Sequence, residues 1–160
     1  MHPLFRTLRF GAMIALGFPV MSLSAQAPDP GSGTWELNLA KSKFSPGPPP
    51  KNLTRTFEVT GAGVKYSLKG TDAEGKPILV EYTAKYDGKD YPVTGSPDFD
   101  TIALKRIDAG TTEATMKKAG KVVQTGKRVV SKDGKELTLT TTGKNAEGQA
   151  VNNVSVFEKK

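Results

Sequence analysis

The sequence has no cysteine, and its one histidine is His2, close to the N-terminus. Disulfides, thiol catalysis and a lipid-modified cysteine are therefore excluded. Beyond residue 27 there is neither Cys nor His. That rules out an ordinary zinc, copper or haem site, and also a Ser-His-Asp or Cys-His engine. Helical periodicity is nearly absent after the first 27 residues. No apolar run reaches the roughly 20 residues that a spanning helix needs. The longest run, Phe10 to Leu23, is about 14 residues.

That run belongs to an export signal. Arg6 and Arg9 form the positive region, Phe10 to Leu23 the apolar region, and Ala25-Gln26-Ala27 the small-residue cleavage site. Pro28 would follow a cut after Ala27, so a cut after Ala25 is the alternative. The arginines are not adjacent, which argues for a Sec-type rather than a twin-arginine route. The expected organisation is a signal peptide over 1–27 and one domain over 28–160, periplasmic or extracellular. About 133 mature residues suffice to bury a core without staples.

Formal charge is +7, and +5 once Arg6 and Arg9 are removed. The excess is local: Lys117, Lys118, Lys121, Lys127, Arg128, Lys132 and Lys135 face only Asp133 in their span. No aromatic residue interleaves them as a base-stacking surface requires, so nucleic acid is not expected as a partner. Solvated lysines guarding sheet edges account for the stripe. An envelope protein adhering to anionic polymers is the rival account.

What is present is alternation. Trp35, Leu37 and Leu39 form the first period-two run. Leu53, Arg55, Phe57 and Val59 form the second, and Val64, Tyr66 and Leu68 the third. The fourth runs from Ile78 to Tyr86. A proline-rich stretch, Ser45 to Pro50, separates the first two. Asp87-Gly88 reads as a hairpin turn before a short strand around Tyr91 to Val93. Further runs end with Val151 to Phe157. The pattern predicts an all-β domain: a single antiparallel meander closed into a barrel of about eight to ten strands.

An internal repeat accompanies the meander. Gly70-Thr-Asp-Ala-Glu-Gly75 recurs as Gly143-Lys-Asn-Ala-Glu-Gly148, shifted by 73 positions. The same shift superposes Arg55 on Arg128 and Ile78 on Val151. Two similar turns, or a repeated three-strand unit, would each produce it.

Parity assigns side chains to faces. Arg55, Arg106 and Arg128 share parity with apolar neighbours, whereas Lys65, Lys69, Lys85, Lys105, Lys121 and Lys127 read outward. A guanidinium is weakly hydrated and forks onto carboxylate or phosphate, so it suits an interior anion site better than an ammonium does. Arginines that snorkel to the rim or stack over Trp35 are the bland alternative. The candidate ligand-binding set is Arg55, Arg106, Arg128, Phe57, Tyr66 and Tyr82. Asp87, Asp90, Asp98 and Asp100 lack regular calcium-loop spacing and read as turn-formers. No catalytic residue, metal or cofactor is expected, and a monomer without integral membrane association is.

Gly33-Thr34-Trp35, opening the first strand, resembles the calycins, the lipocalin and fatty-acid-binding protein group. Gly126 to Thr140 and the ending Phe157-Glu158-Lys159 are similar to the last strands of fatty-acid-binding proteins. The resemblance implies a ten-stranded barrel around a ligand cavity. That family places a helix pair between its first two strands, where this chain has the short stretch Ala40 to Lys51. The family's Arg-x-Tyr near the last strand is matched by Ser155 and Phe157, and its other interior arginine roughly by Arg128. The function implied is carriage of a small anionic or amphipathic ligand.

Overall fold

A strand with period-two alternation has one face for a core and one for water, and a run of such strands buries its apolar faces by closing on itself. A computed structural model, which describes residues 29–160, has this closed arrangement. The expected signal peptide over 1–27 lies outside the described residues. The strands are β1 (Gly33–Leu37), β2 (Asn52–Thr60), β3 (Gly63–Thr71), β4 (Pro77–Lys85), β5 (Asp87–Thr94), β6 (Thr101–Arg106), β7 (Thr111–Lys118), β8 (Lys121–Val130), β9 (Glu136–Lys144) and β10 (Ala150–Lys159). Each pairs antiparallel with its sequence neighbours, and β1 pairs with β10 to close the barrel. The domain is thus the all-β meander the alternation predicts. Among the described residues the only helical element is a 3₁₀ turn at Leu39–Lys41.

One seam is weak. β4 and β5 pair only at Glu81 with Thr94 and at Tyr82 with Val93. Continuing that ladder would set Pro92 opposite Thr83, and proline has no N–H to donate. Asp87-Gly88 is consequently not a tight hairpin turn. It lies at the start of β5, where the register with β6 shifts between Asp87 and Asp90 and Gly88 takes φ +73°. Alternation showed where strands run but not this misfit.

The repeat is structural. β3–β4 and β9–β10 share one register under the shift of 73, with Gly70 opposite Ile78 and Gly143 opposite Val151. Their turns match as well: Asp72 Oδ1 accepts from the Lys76 amide at 2.7 Å, and Asn145 Oδ1 from the Gln149 amide at 2.9 Å. A Cβ on Gly70 would lie 2.2 Å from the Asn52 carbonyl oxygen, and one on Gly143 would lie 2.1 Å from that of Val123. Both glycines are fixed by close strand approach. The preceding hairpins differ. Arg55 pairs with Leu68, but Arg128 pairs with Leu139, two residues short of the repeat's Thr141. A two-residue slip preserves parity, so both arginines still face inward.

The barrel is filled solidly at one end only. Trp35, Val64, Leu137 and Phe157 are fully buried there and form a floor. Burial of Leu137 or Phe157 contributes about 1.5–3 kcal/mol each. At the other end the β1–β2 connection, after a bridge between Lys43 and Val154, crosses as the proline-rich stretch and borders an opening.

Candidate functional site

Above the floor lies a cavity of about 950 Å³, a volume suited to a small molecule. Phe44, Pro48 and Pro50, the β3–β4 turn at Ala73-Glu74 and the β5–β6 loop around Phe99 surround its mouth. The two repeated units supply opposite linings. β2–β4 present Phe57, Tyr66, Leu68, Val80 and Tyr82; β8–β10 present Gln124, Arg128, Thr141, Asn153 and Ser155.

Of the six predicted site residues, five line this cavity: Arg55, Phe57, Tyr66, Tyr82 and Arg128. Arg55 Nη1 donates to the Tyr66 hydroxyl at 2.5 Å, and its guanidinium lies 4.8 Å from the centre of the Phe157 ring. Among the described residues no carboxylate forms an ion pair with Arg55, and its buried Nε has no hydrogen-bond partner. Arg128 is 7% exposed and donates to Thr112 Oγ1 at 3.0 Å. Its guanidinium sits 4.8 Å from the Phe57 ring centre, and its Nε also lacks a partner.

Arg106 is the exception. It faces inward, 4.3 Å from the Tyr86 ring centre, but it does not line the large cavity. It borders a smaller pocket of about 200 Å³ with Tyr86 and Lys85 near the floor. There it is ion-paired with Asp29 Oδ2, while Asp29 Oδ1 lies 3.9 Å from Arg128. Asp29 is 3% exposed at its side chain and also accepts from the Gly31 amide at 2.7 Å. Sequence reasoning missed Asp29 because it precedes the first alternating run, where parity assigns no face. Its neighbour Gly31 packs on the same pair: a Cβ there would lie 2.9 Å from the Arg128 guanidinium carbon.

The aromatic side is a connected stack. The Tyr66 and Tyr82 rings lie 4.5 Å apart at 22°, and Phe57 meets Tyr66 at 5.0 Å. Burial pushes the Tyr66 phenol above its ordinary pKa, with the Arg55 charge pulling partly back. Burial also pushes Tyr82 up, and the neighbouring Tyr66 adds to it, against Arg55 and Arg128. Both phenols therefore stay protonated as neutral hydroxyl donors at any ordinary pH.

The remaining candidates have structural partners. Asp87 caps the Lys89 amide and accepts from Tyr91; Asp98 accepts from the Ala146 amide; Asp100 accepts from the Ala119 amide. Lys117 pairs with Asp90 at 2.8 Å, and Lys118 donates to the Pro97 carbonyl at 3.3 Å. Among the described residues no three His, Cys, Asp or Glu side chains are grouped to hold a metal, and no helix is long and apolar enough to cross a membrane.

No family model matches the sequence, and no curated protein does. Solved structures do. Zebrafish ileal bile acid-binding protein complexed with cholic acid matches with a TM-score of 0.50 at 13% identity, over 82% of this chain and 99% of that one. The domain has the calycin fold. A redesigned β-barrel bound to DFHBI is also similar, with a TM-score of 0.42 at 13% identity, over 81% of this chain and 95% of that one. In this calycin-like barrel the Gly33-Thr34-Trp35 stretch has a clear structural job. Gly33 takes φ +119°, and the Trp35 indole, fully buried in the floor, donates to the Gly31 carbonyl at 3.0 Å. Lys159, not an arginine, lies over its ring, at 5.1 Å. Phe157 carries the Arg55 guanidinium on its face.

Proposed function

We propose that this is an exported carrier that binds a small anionic or amphipathic molecule inside the barrel. The observation that carries the reading is the pair of inward arginines, Arg55 and Arg128, on one large cavity, with Arg55 lacking any carboxylate partner among the described residues. Burying a charge without a counter-charge is costly. A carboxylate entering the cavity supplies that counter-charge to Arg55 while its apolar body packs on Phe57, Tyr66 and Tyr82. Cholic acid, in the zebrafish complex, is a molecule of this class: a carboxylate on an apolar frame.

The reading places a signal peptide at 1–27, the barrel at 28–160, and the mature monomer in the periplasm or outside the cell. It assigns the protein no catalytic step, nucleic acid or cofactor. Outward lysine, glutamate and threonine positions favour water over lipid around the barrel. The test is native mass spectrometry of the full chain recovered from the exported fraction, followed by calorimetric titration of tetradecanoate. A small molecule retained by the wild type, and lost together with tetradecanoate binding in Arg55→Ala/Arg128→Ala, is the expected result. Equal retention by that double variant would remove the arginines from the site.

A further inference from the structure

Behind the cavity lining the chain carries an anion of its own: Asp29 does not line the cavity, but it reaches Arg128, which does. Asp29 lies 77 residues from Arg106 in sequence, yet its carboxylate is buried between Arg106 and Arg128. The segment carrying it precedes β1 and is held by two contacts: the Asp29 side chain on the Gly31 amide, and the Trp35 indole on the Gly31 carbonyl. Gly31 is packed directly against the Arg128 guanidinium, which would have to shift to admit a Cβ there. Two inward guanidiniums without a carboxylate between them would repel, and burying them so would be costly.

We infer that Asp29 is a specificity-determining residue: a tethered carboxylate that neutralises a second anion subsite, at Arg128, from behind and so limits the cavity to ligands with one acidic group. This rests on the anion-carrier reading above. Arg55 is the one cavity arginine with no carboxylate within ion-pairing distance among the described residues, so it takes a single acid group. Arg128 lines the same cavity but is shared with Asp29. A ligand with two adjacent carboxylates needs both arginines, and its second carboxylate meets the Asp29 charge. Removing the Asp29 charge frees Arg128 and opens the subsite to that second group.

The experiment titrates two probes calorimetrically into wild-type and Asp29→Asn protein: tetradecanoate, with one carboxylate, and dodecylsuccinate, with two on adjacent carbons. Wild type should prefer tetradecanoate. In Asp29→Asn, dodecylsuccinate affinity should rise roughly tenfold or more while tetradecanoate changes little, reversing the preference. Asp29→Asn leaves Arg106 and Arg128 facing each other, so folding is checked by circular dichroism. Asp29→Asn/Arg106→Gln, which also removes the repelling partner, gives the same reading if the single variant unfolds. An unchanged probe ratio in whichever variant folds overturns the inference and leaves the carrier reading standing. If neither wild type nor variant binds either probe, both fall together.

Discussion

The repeated units β2–β4 and β8–β10 share the register of their last two strands, slip by two residues at the first, and differ in what they turn inward. Under the shift of 73, Arg55 corresponds to Arg128, but Tyr66 becomes Leu139, Leu68 becomes Thr141, Val80 becomes Asn153 and Tyr82 becomes Ser155. Strand geometry fixes which positions face the cavity; it does not fix their chemistry. The charge is kept in both units while the wall changes from aromatic and aliphatic to hydroxyl and amide. The arginines are also treated differently. Arg55 meets only a phenol and ring faces, whereas Arg128 is braced by Thr112 and Asp29. One arginine has no carboxylate partner among the described residues, and the other shares one with Arg106.

The equivalence of the two units is most severely tested at their glycines. Gly143→Ala combines a backbone clash with a φ of +141°, and Gly70→Ala has the clash without the positive φ. Both should destabilise, Gly143→Ala by roughly 2–5 kcal/mol and Gly70→Ala by about 1–3 kcal/mol. Urea unfolding followed by the fluorescence of Trp35, the only tryptophan, reads both. If either variant is as stable as wild type, the close approach is not fixed and the shared plan is only a likeness of turns.

The arginines come next. Arg55→Ala should weaken tetradecanoate binding by ten- to a hundredfold, with folding unchanged or improved, because an unpaired charge leaves the interior. Arg128→Ala should weaken binding less and cost stability, since Asp29 then faces Arg106 alone. Should the two variants show the same balance of affinity and stability, the division between ligand arginine and floor arginine fails.

Much of this was legible in the alternation. The period-two runs specified an antiparallel barrel of about eight to ten strands, and parity placed all three arginines inward. Gly70 and Gly143 marked the repeat before any register was known. What could not be read were contacts between distant segments. Asp29 has no periodic context, so its insertion between Arg106 and Arg128 was invisible, and Arg106 was consequently assigned to the cavity it does not line. The weak β4–β5 seam escaped for a similar reason. Pro92 and Gly88 sit within an acceptable strand pattern, and only the partner strand shows which amide is missing. Val122 shares sequence parity with Arg128 yet is 58% exposed, because the β7–β8 register shifts between Met116 and Lys117 and the bulge turns Val122 to the outer face.

A milder perturbation exchanges the walls. Val80→Asn gives β4 the residue that the repeat places at Asn153. It should reduce tetradecanoate affinity several-fold by making part of the apolar wall polar, while leaving selectivity for one carboxylate intact. Titration of both probes separates the effects. A change in the probe ratio would mean that the wall, and not the floor, reads ligand charge.

The smallest expected effect lies on the outside, where only β8–β10 is strapped. The 3₁₀ turn brings Asn38 Nδ2 within 2.9 Å of Glu158 and Lys41 within 2.9 Å of Glu136 and 3.2 Å of Glu158. Hydrogen bonds from Asn38 and Lys41 hold the Glu158 carboxyl below its ordinary pKa. The equivalent position in the other unit is Lys85, and β4 carries no such strap. A depressed folded-state pKa means the stabilisation is present above the unfolded value and is lost as pH falls through the folded value. Glu158→Gln should therefore lower Tm at pH 7 by no more than roughly 3 °C, since the group is exposed. The gap between wild type and variant should narrow as pH falls through the depressed folded value of Glu158, where its carboxyl becomes neutral like the glutamine. Lys85→Gln, at the equivalent site, should leave Tm unchanged at both pH values. A Glu158→Gln gap that persists undiminished in acid would show that the strap works by packing and not by charge.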